Sequence, residues 1–203
     1  MTVDKFAKTF KLFKKSYKPI PLEVFGKNPY KTLISVLLSS RTLDKTTHSA
    51  AKRLFAKAPN INKLVQLTEP EIRNLIYPVG FYRTKAKQLT KLAQIVLSEY
   101  AGRIPNTMSK LVRLPGVGEK TANLVLNRAF GIPAIAVDTH VHRISNLLGW
   151  VRTKTPQETQ KGLEKVLPKK YWSETNRLFV SIGQQYRGQA RLSEFLKKSR
   201  LID

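Results

Sequence analysis

Apolar residues recur at helical spacing along nearly the whole of this 203-residue chain, which leaves little room for a sheet. Phe6, Phe10, Phe13 and Tyr17 form one aromatic stripe at intervals of 4, 3 and 4. Lys5, Lys8, Lys11, Lys15 and Lys18 lie largely off it. Pro19 and Pro21 are expected to end this first helix. A basic amphipathic helix suits a membrane surface as well as a core, but the aromatic stripe favours docking against the body of the protein. Leu33, Ile34, Val36, Leu37 and Leu38 make 30–40 apolar nearly all round, the pattern of a central buried helix. Asp44 is expected to cap a helix over 45–58. Thr68-Glu69-Pro70-Glu71 reads as a capping box opening a short helix to Tyr77, and Thr155-Pro156-Gln157-Glu158 repeats the signature before a helix that stops ahead of Pro168. Further helices are predicted over 85–100, on both sides of residues 114–118, from Asp138 to just before Gly149, and over 172–187. The only β-like run, 134–137, is too short for a sheet. These patterns predict an all-α protein with short connections and two lobes sharing a cleft: 22–132, and 1–21 together with 133–203.

Charge narrows the partner. The chain carries 37 Lys and Arg against 13 Asp and Glu, a formal net charge of +24. The excess is even: 19 basic and 6 acidic groups in residues 1–100, 18 and 7 in residues 101–203. It therefore belongs to a folded surface, and the matching partner is a polyanion. A ribosomal or chromatin protein would share that balance. The chain has no cysteine, which excludes disulfides and cysteine-held zinc or iron–sulfur centres. The N-terminus has no apolar core of a secretory signal, and no apolar run is long enough to span a bilayer. A monomeric protein with no membrane association is expected, cytoplasmic and nucleoid-associated, or nuclear in a eukaryote.

The densest chemical signal is Leu114-Pro115-Gly116-Val117-Gly118-Glu119-Lys120-Thr121. One helix runs into a tight Pro-Gly-x-Gly hairpin and a second starts directly after it. Two glycines permit positive φ, and the new helix directs unpaired N–H groups outward, a cradle for a backbone phosphate. Such a helix-hairpin-helix gives affinity without base specificity. Lys120 falls in the first turn of the second helix, where the macrodipole disfavours a cation. Two readings stand for it: a solvated phosphate contact, or an amine rendered nucleophilic by partial desolvation. Asp138, in Val137-Asp138-Thr139-His140, is a helix cap that could also serve as a carboxylate beside an amine. His140 and His142 are two apart and cannot share a helix face, which argues against a metal pair.

The hairpin followed, 18 residues after Lys120, by Val137-Asp138-Thr139-His140 resembles the helix-hairpin-helix/Gly-Pro-Asp DNA glycosylases, and within them the endonuclease III branch. Residues 37–44 and 79–86 resemble other stretches of that family, so the likeness covers residues 1 to about 187. The resemblance implies base excision repair: a damaged base flips out of the duplex into the cleft, Lys120 attacks C1′ to form a Schiff base, Asp138 assists, and β-elimination cuts the strand. It implies oxidised pyrimidines as substrates. A related specificity, such as 8-oxoguanine or a mismatched base, and a non-catalytic DNA-binding role are the alternatives.

The same resemblance assigns DNA contacts to Arg41, Phe81, Arg83, Lys85, Leu114, Pro115, Gly116, Val117, Gly118 and Thr121, with Asp44 and His140 as candidate pocket residues. Arg41 and Phe81 fall where relatives insert side chains into the gap left by the flipped nucleotide, at positions that often hold Gln and Leu. The carbonyls of Val112, Leu114 and Val117 correspond to a monovalent-cation site. The departure lies at the C-terminus, where relatives usually carry four cysteines around a [4Fe–4S] cluster. Here Leu192, Phe195 and Leu196 offer a small apolar face to close the lobe, and Arg187, Arg191, Lys197, Lys198 and Arg200 are either phosphate contacts or a solvated tail.

Overall fold

The structure is a computed structural model that describes residues 3–20 and 27–202. Pro21 and the first residues of the expected 22–132 lobe lie outside the described residues. In chain order the helices are α1 Val3–Lys15, α2 Pro29–Ser39, α3 Asp44–Lys57, α4 Ile61–Leu64, α5 Glu69–Ile76, α6 Tyr82–Tyr100, α7 Met108–Leu111, α8 Glu119–Phe130, α9 Thr139–Leu147, α10 Pro156–Val166, α11 Trp172–Gln185 and α12 Gln189–Lys198. No strand occurs among the described residues. The chain divides into two compact units, Met1–Ile20 with Pro133–Asp203, and Pro21–Ile132.

In the unit built from both termini, α1 buries its aromatic stripe against α11. Phe10 stacks on Tyr171 at 4.3 Å, Phe6 meets Trp150 edge-on at 4.7 Å, and Phe13 meets Phe179 edge-on at 5.1 Å. Such offset and edge contacts add to the area each ring removes from water. The stripe is thus core, and α1 ends at Lys15, short of Pro19. The run 134–137 is buried but forms no strand; the Asn176 side-chain amide donates to the Ala136 carbonyl at 3.0 Å, satisfying an acceptor that a sheet would otherwise use. At the C-terminus α12 buries Leu192 and Leu196 completely, and Phe195 stacks on Tyr186 at 4.1 Å. Arg187, Arg191, Lys197, Lys198 and Arg200 remain exposed, with Lys198 paired to Glu194 at 2.8 Å.

The second unit is organised around α2, where Leu33, Ile34 and Leu38 are fully buried and α3, α6 and α8 pack around them. Asn28 caps it, accepting from the Lys31 N–H at 3.0 Å, with Pro29 in the first turn. The Thr68 capping box is complete: the Thr68 hydroxyl accepts from the Glu71 N–H and the Glu71 carboxylate accepts from the Thr68 N–H. At Thr155 only the forward half forms, because Glu158 reaches back to the Lys154 N–H instead. Asp44 is the first residue of α3 and not its cap; extended Leu43 holds the cap position. An acid in the first turn still suits the helix dipole. Helix α6 starts three residues before the expected 85, directly after Phe81.

Candidate active site

In the hairpin, the four-residue α7 delivers the chain to Leu114, whose N–H returns to the Leu111 carbonyl at 3.0 Å. The Val117 N–H then donates to the Leu114 carbonyl at 3.0 Å, closing the turn. Gly116 has φ +80, the left-handed region the turn requires, and a Cβ there would lie 2.7 Å from the Gln88 side-chain oxygen. Gly118 differs from the expectation: its φ is −91, open to any residue, and no heavy atom lies within 4 Å of where its Cβ would be. What it contributes is an N-cap without a side chain, so none of the first N–H groups of α8 is covered by a capping oxygen. Leu114 and Val117 are buried as anchors, Pro115 and Thr121 are half-buried, and Lys120, the second residue of α8, is exposed.

Two loops stand beside the hairpin in the same unit. Arg41 and Phe81 both have left-handed backbone, φ 51 and φ 57, where few non-glycine residues settle. Phe81 is 60% exposed, and the Arg41 guanidinium lies 5.4 Å from its ring centroid. Arg83 is exposed and its Nε donates to the Tyr82 hydroxyl at 3.3 Å. A cavity of about 290 Å³ is lined by Arg41, Phe81, Lys85, Gln88, Gly116 and Thr121 among others. Residues distant in sequence thus share one concavity.

Lys85 corrects its expectation. Expected as a DNA contact, it lines the same cavity but is 7% exposed, and its Nζ donates inward to the Leu38 carbonyl at 2.9 Å and the Ser40 carbonyl at 2.6 Å. Burial pushes this ammonium down to about 8 from the ordinary lysine value of 10.5. Its position one turn before Leu89, on the buried stripe of α6, was the signal in the sequence. Between pH 8 and 10.5 the unfolded chain holds a proton here that the folded chain has released, so this residue makes stability rise with pH across that window. Compared with Lys85→Met, the wild type should therefore gain in urea midpoint on going from about pH 7.5 to about pH 9.5. A difference that stays constant with pH would contradict the buried ammonium.

Asp138 and His140 belong to the other unit. Asp138 caps α9: one oxygen, Oδ1, accepts from the His140 N–H and the Val141 N–H, both at 2.9 Å. Neither capping bond uses Oδ2. The His140 ring packs directly on Gly183, where a Cβ would collide with Nδ1. His142 turns elsewhere, its Nδ1 2.6 Å from the Thr159 hydroxyl. The two histidines therefore have separate surroundings, and no group of three His, Cys, Asp or Glu capable of holding a metal occurs among the described residues. A cysteine-held [4Fe–4S] cluster does not fit this chain: it has no thiol donor, and the tail that would carry the ligands is α12, packed by Leu192 and Leu196. Asp44, half-buried in the first turn of α3, is not among the residues lining the cavity.

The family model of the HhH-GPD superfamily base excision DNA repair protein matches residues 34–169. Endonuclease III of Thermotoga maritima is 44% identical over 158 residues, 78% of this chain and 74% of the relative. Endonuclease III-like protein 1 of Mus musculus is 47% identical over 159 residues, 77% of this chain and 53% of the relative, so the chain spans about half of that longer protein. A solved structure described as a trapped endonuclease III–DNA covalent intermediate with estranged adenine matches with a TM-score of 0.80 at 33% identity, covering 93% of this chain and 89% of that one. The chain belongs to the HhH-GPD superfamily of base excision DNA repair proteins, on the endonuclease III branch.

Proposed function

We propose that this chain removes oxidised pyrimidines from duplex DNA and then cleaves the abasic strand, with Lys120 as nucleophile and Asp138 as its carboxylate partner. DNA glycosylase action coupled to AP lyase action, in base excision repair, is the endonuclease III activity to which the chain belongs. The proposal adds the residues, their roles and the lesion class. The observation that carries it is an exposed lysine at the second position of a helix that opens, uncapped, from a Pro-Gly-x-Gly turn.

The uncapped N–H groups of α8 receive a backbone phosphate, which brings the adjacent sugar to Lys120. The neutral amine attacks C1′ and the C1′–N bond breaks, the base leaving with the bonding pair. Asp138 takes the proton shed by the amine and balances positive charge on the sugar. The C1′–O4′ bond then opens, its electron pair going to O4′, which takes a proton, and the lysine nitrogen is left as an iminium. This acidifies C2′; loss of that proton and departure of the 3′ phosphate cut the strand, and water hydrolyses the iminium to free the amine. Because the departing base must leave the helical stack, the exposed Phe81 ring and the Arg41 fork are placed in the gap it vacates, Phe stacking and Arg hydrogen-bonding the orphan base. The carbonyls of Val112, Leu114 and Val117 would be the oxygens to hold a monovalent cation, which would supply positive charge for the backbone phosphate; the Leu114 oxygen, which already accepts from Val117, keeps a second lone pair for it. No step of the chemistry runs through that ion.

Incubation with an abasic-site duplex and sodium borohydride should trap the chain as a covalent adduct. A panel of duplexes bearing thymine glycol, dihydrouracil, 8-oxoguanine or a uracil mismatch should then show cleavage first at the pyrimidine lesions. Folded protein that yields no adduct would overturn the mechanism. Faster cleavage at 8-oxoguanine would replace the lesion class.

A further inference from the structure

We propose that Lys85 is a positioning residue: its buried ammonium clasps the loop 40–42 so that Arg41 stands against Phe81 and the two meet duplex DNA as one preformed unit. The proposal rests on the reading of this face as DNA-binding. Lys85 Nζ donates to the carbonyls of Leu38 and Ser40, and it lies 3.4 Å from the Thr42 hydroxyl. That hydroxyl donates to the Ser40 carbonyl at 3.1 Å and accepts from the Gly80 N–H at 3.0 Å. One donor and two lone pairs are thereby all engaged. The result is a bridge from the end of α2 to the start of α6, between loops 38 residues apart in the chain.

Gly80 completes the clasp. A Cβ there would overlap the Arg41 carbonyl oxygen, so the two loops touch backbone to backbone. Arg41 and Phe81, one on each loop, are both held in left-handed backbone, a conformation that persists only where the surroundings over-determine it. The surroundings here are Lys85, Thr42 and Gly80. An apolar side chain of similar length would fill the same place on the α6 stripe without desolvating a charge, so what the lysine adds is its donors. The product is a large aromatic ring left mostly in water with a guanidinium against it, a surface shaped to stack on bases.

The test uses a duplex with a tetrahydrofuran abasic analogue, which cannot form a Schiff base, opposite 2-aminopurine, whose fluorescence reports stacking. Wild-type protein should change the emission on binding, and Lys85→Met should bind while losing most of that change. In single turnover, excision of a paired lesion base should slow about 10- to 100-fold, and trapping at a preformed abasic site by no more than about threefold, since only the first requires a base to be displaced by a well-placed wedge. The chain has no cysteine, which gives a rescue that a merely structural role would not pass so selectively. In Lys85→Cys the single thiol is alkylated with 2-bromoethylamine in denaturant, the thiolate displacing bromide, and refolding then returns a lysine isostere. That protein should recover both excision and the fluorescence change, and the comparison before and after alkylation stands even where Lys85→Met fails to fold. Wild-type excision by Lys85→Met, equal loss of excision and trapping, or no recovery after alkylation in a preparation where wild type refolds would each overturn the clasp. A wild type that gives no borohydride adduct, yet shows a fluorescence change that Lys85→Met abolishes, would sink the lyase mechanism and leave the clasp standing.

Discussion

Lys120→Ala is expected to lose the borohydride adduct completely and to slow strand cleavage at an abasic site by on the order of a thousandfold or more, the scale of removing a covalent nucleophile. The substitution is unusually easy to interpret. Lys120 is exposed in the first turn of α8, and no core contact depends on it. Alanine is the better helix former there, and removing a cation from the positive end of the dipole favours the helix by a few tenths of a kcal/mol. The thermal midpoint should therefore hold or rise slightly while the chemistry disappears. Gel analysis after borohydride reduction measures the first effect and a melting curve the second. An undiminished adduct from the alanine variant would assign the Schiff base to another of the many lysines and remove the basis of the mechanism.

Legibility followed the range of the forces involved. Most of the helices were readable because a buried face imposes a 3.6-residue period within a single segment, as in the Phe6, Phe10, Phe13 stripe; α4, of one turn, and α12, read only as an apolar face, were not. The Thr68 capping box and the Gly116 turn were readable because their geometry closes within four residues. Local patterns misplaced Asp44, since both a cap and a first-turn acid are favourable for the same carboxylate. They also overstated Gly118, whose φ is ordinary and whose use lies in the side chain it lacks. The burial of Lys85 was hidden for a different reason: a lysine is presumed solvated unless a partner is visible, and its acceptors at Leu38 and Ser40 are 47 and 45 residues away. Pairing of Arg41 with Phe81 has the same long-range origin.

The absence of cysteine shows how one compositional fact becomes a structural statement. A chain of this family without cluster ligands must secure its C-terminal segment by other means, and α12 does so with apolar area: Leu192 and Leu196 are fully buried, with Phe195 stacked on Tyr186. Burying two leucines contributes about 1.5–3 kcal/mol each relative to leaving them exposed. The exposed basic residues on and around α12 are then free of a packing role, as they are along much of a surface with net charge +24. Phosphate affinity on such a surface is distributed, whereas the chemistry is concentrated in a few groups.

Asp138→Asn separates the observed cap from the proposed role as proton acceptor. Both capping bonds end on Oδ1, from His140 and Val141, and an asparagine oxygen accepts them equally well. The amide replaces Oδ2, the oxygen that capping does not use, and removes the negative charge. Some dipole stabilisation is lost with the charge, about 0.3–1 kcal/mol, so the fold and duplex binding should be nearly retained. Base excision should nonetheless fall about 10²- to 10⁴-fold, the range for loss of a proton acceptor in the transition state. Asp138→Ala supplies the contrast: it removes charge and cap together, so it should match the asparagine variant in excision rate while melting lower by the cost of a lost cap, about 1 kcal/mol. Single-turnover excision and urea unfolding of the three proteins measure the two axes independently. Asparagine excising at the wild-type rate would leave Asp138 as a helix cap and nothing more, and the amine at Lys120 would need a different proton acceptor.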